Sequence, residues 1–354
     1  MGKVYYDLCA KIWQPTNLWA AYKQAAIGKR AKPYVAEFEY NLEKHLIALE
    51  GELRNETYFP GNYENFWIRR PKQRLISAAP FRDRVVHHAL MNIIEPLFER
   101  QFIHDSYANR IGKGTHKALD RCTFYLRRHQ YVMHLDVRRF FPSIDHLILI
   151  EILQKTIGDK SVIKLVQKII ASGAGIHAKT SETVYFPGDD LFAVSRPRGL
   201  PIGNLTSQHW ANVYLNQLDQ YAKRVLKIRA YIRYVDDILI FANEKSTLHK
   251  WEAAISEYLQ GLRLTIHTSR AQPRPVNTGI PFLGFIVFPD HRRLKKRNGI
   301  AFQRRLKGLR NRYCAGDIEL EDLRASLRGW INHVRYGDTW GLRQSILNKE
   351  ELGE

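Results

Sequence analysis

The chain has 354 residues, with 55 Lys and Arg against 35 Asp and Glu, a formal charge of +20 and 45% hydrophobic residues. That apolar content excludes a disordered chain, the length permits two or three lobes, and the cationic excess calls for a polyanionic partner. No apolar run approaches the roughly 18 residues of a bilayer span, the N-terminus shows no signal-peptide pattern, and Cys9, Cys122 and Cys314 sit at no metal-binding spacing, as expected of free thiols in a reducing compartment.

Near the N-terminus Trp13, Trp19 and Tyr22 suit either base stacking or a core. Val35, Phe38, Leu42, Leu46 and Leu49 recur every three or four residues, which predicts a helix over about 33–54. Phe66-Trp67-Ile68 and Leu75 to Pro80 read as a strand pair joined by the basic turn Arg69-Arg70-Pro71-Lys72-Gln73-Arg74. Asp83 is placed to cap a helix through Val86, Leu90 and Ile94 towards Pro96. His87-His88 lies on that helix without metal-ligand spacing, so packing or an RNA contact is its expected use rather than zinc.

Tyr131 to Val137 reads as a short strand with Asp136 near its end and Phe140-Phe141-Pro142 closing it. Ala230 to Val235 and Ile238 to Ala242 are rich in β-branched and aromatic residues, and the Asp236-Asp237 pair between them predicts a hairpin tip. After Pro289 the chain is very basic, with Arg292-Arg293-Leu294-Lys295-Lys296-Arg297, and then helical, with Leu306, Leu309, Leu320, Leu323, Leu327 and Trp330 on recurring spacings. Basic residues spread through the chain in this way suit a channel that follows a nucleic-acid backbone.

Adjacent carboxylates resist ionising together unless a strong cation lies between them. A bare Asp-Asp turn is the plain alternative, since Asp favours turns. Asp136 on a separate strand favours the metal reading, because phosphoryl transfer at two metal ions needs acids from separate strands. Asp136 and Asp236 are then the natural bridging ligands.

From about residue 58 to 347 the chain resembles reverse transcriptases of the group II intron, retron and diversity-generating retroelement lineage. The resemblance rests on ordered blocks: Pro80 to Leu90, Ser106 to His116, Asp136 to Asp145, Gly199 to Gln208, Tyr234-Val235-Asp236-Asp237, and Phe282-Leu283-Gly284-Phe285. Most relatives have Gln-Gly followed by Ser-Pro, whereas Ile202-Gly203 is followed here by Ser207-Gln208. That departure is similar to diversity-generating retroelement enzymes, which copy a template-repeat RNA into cDNA with misincorporation opposite adenine.

The resemblance implies an α+β right-hand polymerase, with an N-terminal region and fingers over 1–125, a palm of antiparallel sheet plus helices over 126–290, and a helical thumb over 291–354. It implies that Asp136, Asp236 and Asp237 hold two Mg²⁺ with the Val137 carbonyl as a further ligand. Arg74 and Arg70, with Arg69 as the other choice, would bind the dNTP triphosphate, Phe141 would exclude a 2′-OH, and Ile202 and Gly203 would face the nascent pair. Ser207, Gln208, Tyr234, Leu283 and Gly284 would contact template and primer, Ser326 to Arg335 would belong to the duplex-gripping thumb, and Arg270 stands near the place of a pyrophosphate-protonating Lys. The partners implied are template RNA, the RNA/cDNA duplex, dNTPs and a small basic oligomeric accessory protein, with no membrane, in the cytoplasm of a bacterium or archaeon or from a phage. Alternatives are a group II intron, retron or defence-linked reverse transcriptase, or an RNA-binding splicing cofactor. No His-Asn cluster or Cys pair follows the thumb, so the DNA-cutting domain of some intron proteins is not expected.

Overall fold

Four helices open the chain, α1 (Cys9–Trp13), α2 (Pro15–Ala26), α3 (Pro33–Tyr40) and α4 (Leu42–Arg54), in a computed structural model that describes residues 3–69, 73–176, 184–267 and 271–351. The helical run expected over 33–54 breaks at Asn41, whose φ of −118° and ψ of 39° leave the helical region. Tyr22 belongs to the core, whereas Trp19 is exposed.

Strands β1 (Glu64–Ile68) and β2 (Arg74–Ala78) form the expected antiparallel pair, with Ile68 opposite Arg74. Helix α5 (Phe81–Glu99) follows directly. Asp83 does not cap it. Pro80 holds the N-cap position, and Asp83 is buried in the first turn, where it accepts hydrogen bonds from the Tyr58 hydroxyl at 2.8 Å and the Gly61 amide at 2.7 Å. Nor does Pro96 end the helix, since a proline in the last turn costs one backbone bond and the chain runs on to Glu99.

Next come α6 (Thr115–Leu126), β3 (Tyr131–Asp136), α7 (Phe140–Ser143), α8 (His146–Gln154), α9 (Lys160–Ser172) and α10 (Leu205–Gln220), followed by β4 (Tyr231–Tyr234), β5 (Asp237–Ala242), α11 (Lys245–Gly261) and β6 (Arg274–Pro275). The four strands form one antiparallel sheet in the order β4-β5-β3-β6. Alternation along its strands divides the apolar residues between two cores. Met133, Leu135, Ile238 and Ile240 join the larger core with α5 and α10, while Val132, Ile232, Leu239 and Phe241 face a second core with α6. Both faces are covered, so the sheet is a rigid base for whatever its ends carry.

Strands β7 (Ile280–Phe282), β8 (Phe285–Val287) and β9 (Arg292–Leu294) make a smaller sheet. Strand β9 lies within the basic stretch 292–297, where the sequence reading assigned no strand. Its ladder with β8 sets Leu294 opposite Phe285 and Arg292 opposite Val287; Leu294 packs on the second core, and Arg292, on the same face two residues earlier, donates to Asp120 and Thr123. Helices α12 (Lys296–Cys314), α13 (Leu320–Val334) and α14 (Trp340–Glu351) form a third lobe. Its own small core holds Phe302, Leu306 and Ile346, with the Phe302 and Trp330 rings stacked at 4.1 Å. No helix among the described residues is long and apolar enough to cross a membrane.

Candidate active site

The β4–β5 hairpin turns at Val235-Asp236, one residue earlier than the Asp236-Asp237 tip expected from sequence. Asp237 is therefore the first residue of β5, paired with Tyr234 on one side and with Asp136 on the other. Residues directly opposite in an antiparallel ladder share a face with their Cβ atoms about 4.5–5.5 Å apart, so the register brings two carboxylates together at the sheet's end. Asp236 stands beside them on the turn. Its carboxyl is pushed up to about 6, first by burial, then by the neighbouring Asp237, with Asp136 adding to the effect and Arg74 opposing it.

Val235 has φ of 58°, a left-handed conformation that a β-branched residue rarely adopts and that costs on the order of 1–3 kcal/mol. The residue that holds the turn there is Arg233. Its side chain is wholly buried, it donates to the Val235 carbonyl at 3.2 Å, and it meets Asp219 of α10 through three bonds of 2.7 to 2.9 Å. Asn212 accepts a further bond from Arg233 at 3.0 Å, and the Tyr231 hydroxyl donates to Asp219 at 2.8 Å. The Arg233 backbone is also fixed, giving its N–H to Asp105 and receiving one from Tyr107. These partners went unread in the sequence, although a lone charge within the apolar strand Ala230 to Tyr234 was the available signal.

The other expected residues surround the acids. Val137 is buried and its amide donates to the Asp236 carbonyl at 3.2 Å. Arg74 begins β2 on the finger hairpin, close enough to Asp236 to bear on its charge, whereas Arg70 and Arg270 lie outside the described residues. Phe140 goes into the core, and Phe141, the ring expected to exclude a 2′-OH, stays half-buried. The Ile202 carbonyl accepts from the Ser77 amide at 3.0 Å, so the fingers seat on this loop. Gly203, at φ of 114°, comes so close to β2 that a Cβ there would lie 3.0 Å from the Ile76 Cγ2.

Ser207 is buried, its hydroxyl without a partner among the described residues, and Gln208 is half-buried in a cleft with His87 and His88. The Tyr234 hydroxyl is 3.1 Å from that of Thr115. Leu283 and Gly284 form the β7–β8 turn with φ of 42° and 92°, and the Gly284 carbonyl accepts from the Asn298 side chain at 3.1 Å. Sequence reading passed over His134, which strand alternation puts on the acids' face and whose Nε2 lies 2.9 Å from an Asp237 oxygen.

Among the described residues no three His, Cys, Asp or Glu side chains converge into a ready metal cage. Mg²⁺ does not require one, since it keeps waters and takes one or two carboxylates together with substrate phosphates. An all-oxygen donor set containing a carboxyl whose charge is penalised by burial and by the neighbouring acids fits such a cation, which would offset that penalty.

Residues 65–287 match the family described as reverse transcriptase (RNA-dependent DNA polymerase). Protein YkfC of Escherichia coli (strain K12) is 25% identical over 300 residues, which are 71% of this chain and 73% of that protein. Group II intron-encoded protein LtrA of Lactococcus lactis subsp. cremoris is 24% identical over 182 residues, 51% of this chain but 28% of LtrA. Apo telomerase from Candida tropicalis, truncated from its C-terminal domain, aligns with 66% of this chain and 55% of its own at a TM-score of 0.41 and 13% identity, too loose a likeness to argue from.

Proposed function

The chain belongs to the reverse transcriptase family of RNA-dependent DNA polymerases, and from that premise we propose that it extends a primer on an RNA template at Asp136, Asp236 and Asp237. The observation that carries the site assignment is the register that sets Asp136 opposite Asp237 with Asp236 on the adjoining turn. In the reaction the primer 3′-OH attacks the α-phosphate of a dNTP, a new phosphodiester bond forms, and pyrophosphate leaves. Two Mg²⁺, when bound, supply Lewis-acid charge for the attacking hydroxyl and the leaving group. Asp136, Asp236, Asp237 and the Val137 carbonyl are the groups to hold them. Arg74 offers a guanidinium fork to the triphosphate. Half-buried Phe141 is set to exclude a ribose 2′-OH, and Gln208, Tyr234, Leu283 and Gly284 to position template and primer.

Within the family, the reading we favour is error-prone cDNA synthesis from a template repeat in a diversity-generating retroelement, in the cytoplasm and with a small basic accessory protein. Ile202-Gly203 with Ser207-Gln208 supports it. An apolar side chain beside the nascent pair cannot offer the hydrogen bond that a Gln would, and a site without polar contacts discriminates weakly. The likeness to LtrA favours a second reading, an intron-encoded reverse transcriptase.

The test is primer extension with purified protein, a defined RNA template, dNTPs and Mg²⁺. Asp236→Asn should lower incorporation by more than about 100-fold, since even outer partners of metal ligands are worth 10- to 100-fold. RNA affinity should hold, because it rests on many Lys and Arg. Incorporation near the parent rate would remove the metal assignment. Ile202→Gln should lower misincorporation opposite adenine by about 5- to 150-fold, the equivalent of one hydrogen bond of roughly 1–3 kcal/mol. An unchanged adenine error rate in an active variant would count for the intron reading.

A further inference from the structure

Helices α2 and α4 carry more apolar side chains than their packing uses. Helix α2 turns Leu18, Ala21, Tyr22 and Ala25 into the main core, and α4 turns Leu49 and Leu53 into it. Trp19 and Ile47, one on each helix, stay 44% and 61% exposed. Both line a single groove of about 670 Å³ walled by the two helices, together with Leu42 and Leu46. Scattered exposed apolar residues are ordinary, but a contiguous apolar groove marks a surface that something covers. The α2 wall is held in place from behind, where the Asn17 side chain donates to the Ala89 carbonyl of α5 at 3.0 Å and accepts from Asn92 at 3.0 Å. The groove is therefore preformed.

Its charge is of the unexpected sign. In a chain of 55 basic and 35 acidic residues, the charged residues that line this groove are both acids, Glu43 and Glu50. The Glu43 carboxylate has no partner among the described residues, and Glu50 meets Arg54 at 2.5 Å in an i,i+4 pair open to solvent, which neutralises it only weakly. Lys23 reaches over the Trp19 ring at 5.0 Å but does not line the groove. Acids at the rim repel the phosphates of RNA and of anionic lipids, so Trp19 is poorly placed to stack on a base. A two-fold pairing of groove on groove would bring the acids of one copy against those of the other, and like charges oppose it. What remains is an apolar partner with positive flanks. From Leu42 to Glu50 helix α4 rises about 12 Å, two turns, which is the length over which a third helix can lay down three apolar anchors.

We propose that the groove between α2 and α4 docks an amphipathic helix of a partner protein, apolar at i, i+3 or i+4 and i+7 and flanked by Lys or Arg. Trp19 and Ile47 give the buried contact, and Glu43 and Glu50 select the charge of what binds. The assignment rests on the groove alone and stands apart from the polymerase reading.

The experiment is fluorescence anisotropy of the full chain with a labelled helical peptide of about 18 residues, Leu along its apolar stripe and Lys on the flanks, beside a twin that has Glu in place of Lys. The parent should bind the Lys peptide about tenfold more tightly than the Glu peptide at roughly 50 mM salt, and the gap should narrow at roughly 500 mM. Ile47→Asp should weaken the Lys peptide about tenfold or more, as loss of a central apolar anchor does. Glu43→Lys/Glu50→Lys should reverse the preference between the two peptides. Primer extension and RNA affinity should stay at the parent level in both variants, since the groove carries none of the proposed polymerase residues. Should Ile47→Asp fail to fold, the charge-reversed variant decides, because it empties no core position. The proposal is overturned by a parent that does not bind the Lys peptide or binds both peptides alike, by unchanged affinity in a folded Ile47→Asp, or by a charge-reversed variant that keeps the parent's preference. It is also overturned if the parent sediments as a dimer and Ile47→Asp as a monomer, which gives the groove to a second copy, or if Ile47→Asp loses RNA affinity, which gives it to RNA.

Discussion

At Asp236, the proposed metal-binding role and stability oppose each other. In the metal-free fold its carboxyl stands at about 6 against an ordinary 3.8, because burial and two neighbouring acids penalise the charge. A carboxyl raised by folding favours the native state below its unfolded pKa and loses that contribution as pH rises through the folded value. At pH 7.5 the ionised group therefore costs stability, by up to roughly 3 kcal/mol for a difference of this size. Asp236→Asn removes the charge and should make the metal-free protein more stable than the parent at pH 7.5, with the gap closing by pH 4. Urea unfolding in EDTA at the two pH values measures this. A variant no more stable at pH 7.5 would mean that the carboxyl is not crowded as described. The residue that we propose as a metal ligand is one that the metal-free fold would be better without.

At the scale of the element, the β4–β5 hairpin is held from beneath. Arg233 and Asp219 are fully buried, and removing one partner of such a pair typically costs about 3–5 kcal/mol because a lone charge stays behind. Arg233→Met should lower the melting temperature accordingly. In Arg233→Met/Asp219→Leu no charge is stranded, so much of the stability should return. Activity should not return with it, because the guanidinium bond to the Val235 carbonyl is still missing and the turn that carries Asp236 has lost its anchor. Melting curves read beside primer-extension rates separate the two effects. A double variant as active as the parent would show that the pair serves stability alone. The same logic of burial explains why Asp83 is no helix cap, since its bonds to Tyr58 and Gly61 tie the segment ahead of β1 to α5.

Across the whole molecule, three cores divide the chain, two pressed on opposite faces of the palm sheet and a small one inside the last three helices. The small core leans on few residues, among them the stacked Phe302 and Trp330. Trp330→Ala should therefore loosen residues 296–346 without reaching the palm, at a cost of a few kcal/mol, about 3 for a large aromatic side chain. Hydrogen exchange should rise throughout α12 and α13 while β3 and β5 keep their protection, and binding to an RNA/DNA duplex should weaken at high salt. Equal loss of protection in β3 would show that the lobes unfold together. The link between them is local: Tyr336 stacks on His116 of α6 at 3.5 Å, and the Asp338 amide donates to the Arg292 carbonyl of β9 at 2.7 Å.

What the sequence determined by itself was local. The period-two apolar runs around Asp136 and Asp236, the finger hairpin and the helical rhythm of the last lobe each depend on residues a few positions apart, and the order of blocks was enough to suggest the family. The tertiary structure decided what depends on partners far along the chain. His134 meets Asp237 from 103 positions away, and Arg233 finds Asp219 across the 14 residues that separate a strand from the helix beneath it. The exact turn residue, Val235 rather than Asp237, was decided in the same way. A two-residue turn can be drawn at either place from propensity alone, but a slip of one residue would exchange the two faces of β5 and the core that each one meets. The packing of Ile238 and Ile240 on one core and of Leu239 and Phe241 on the other permits a single register, and that register sets Asp237 opposite Asp136.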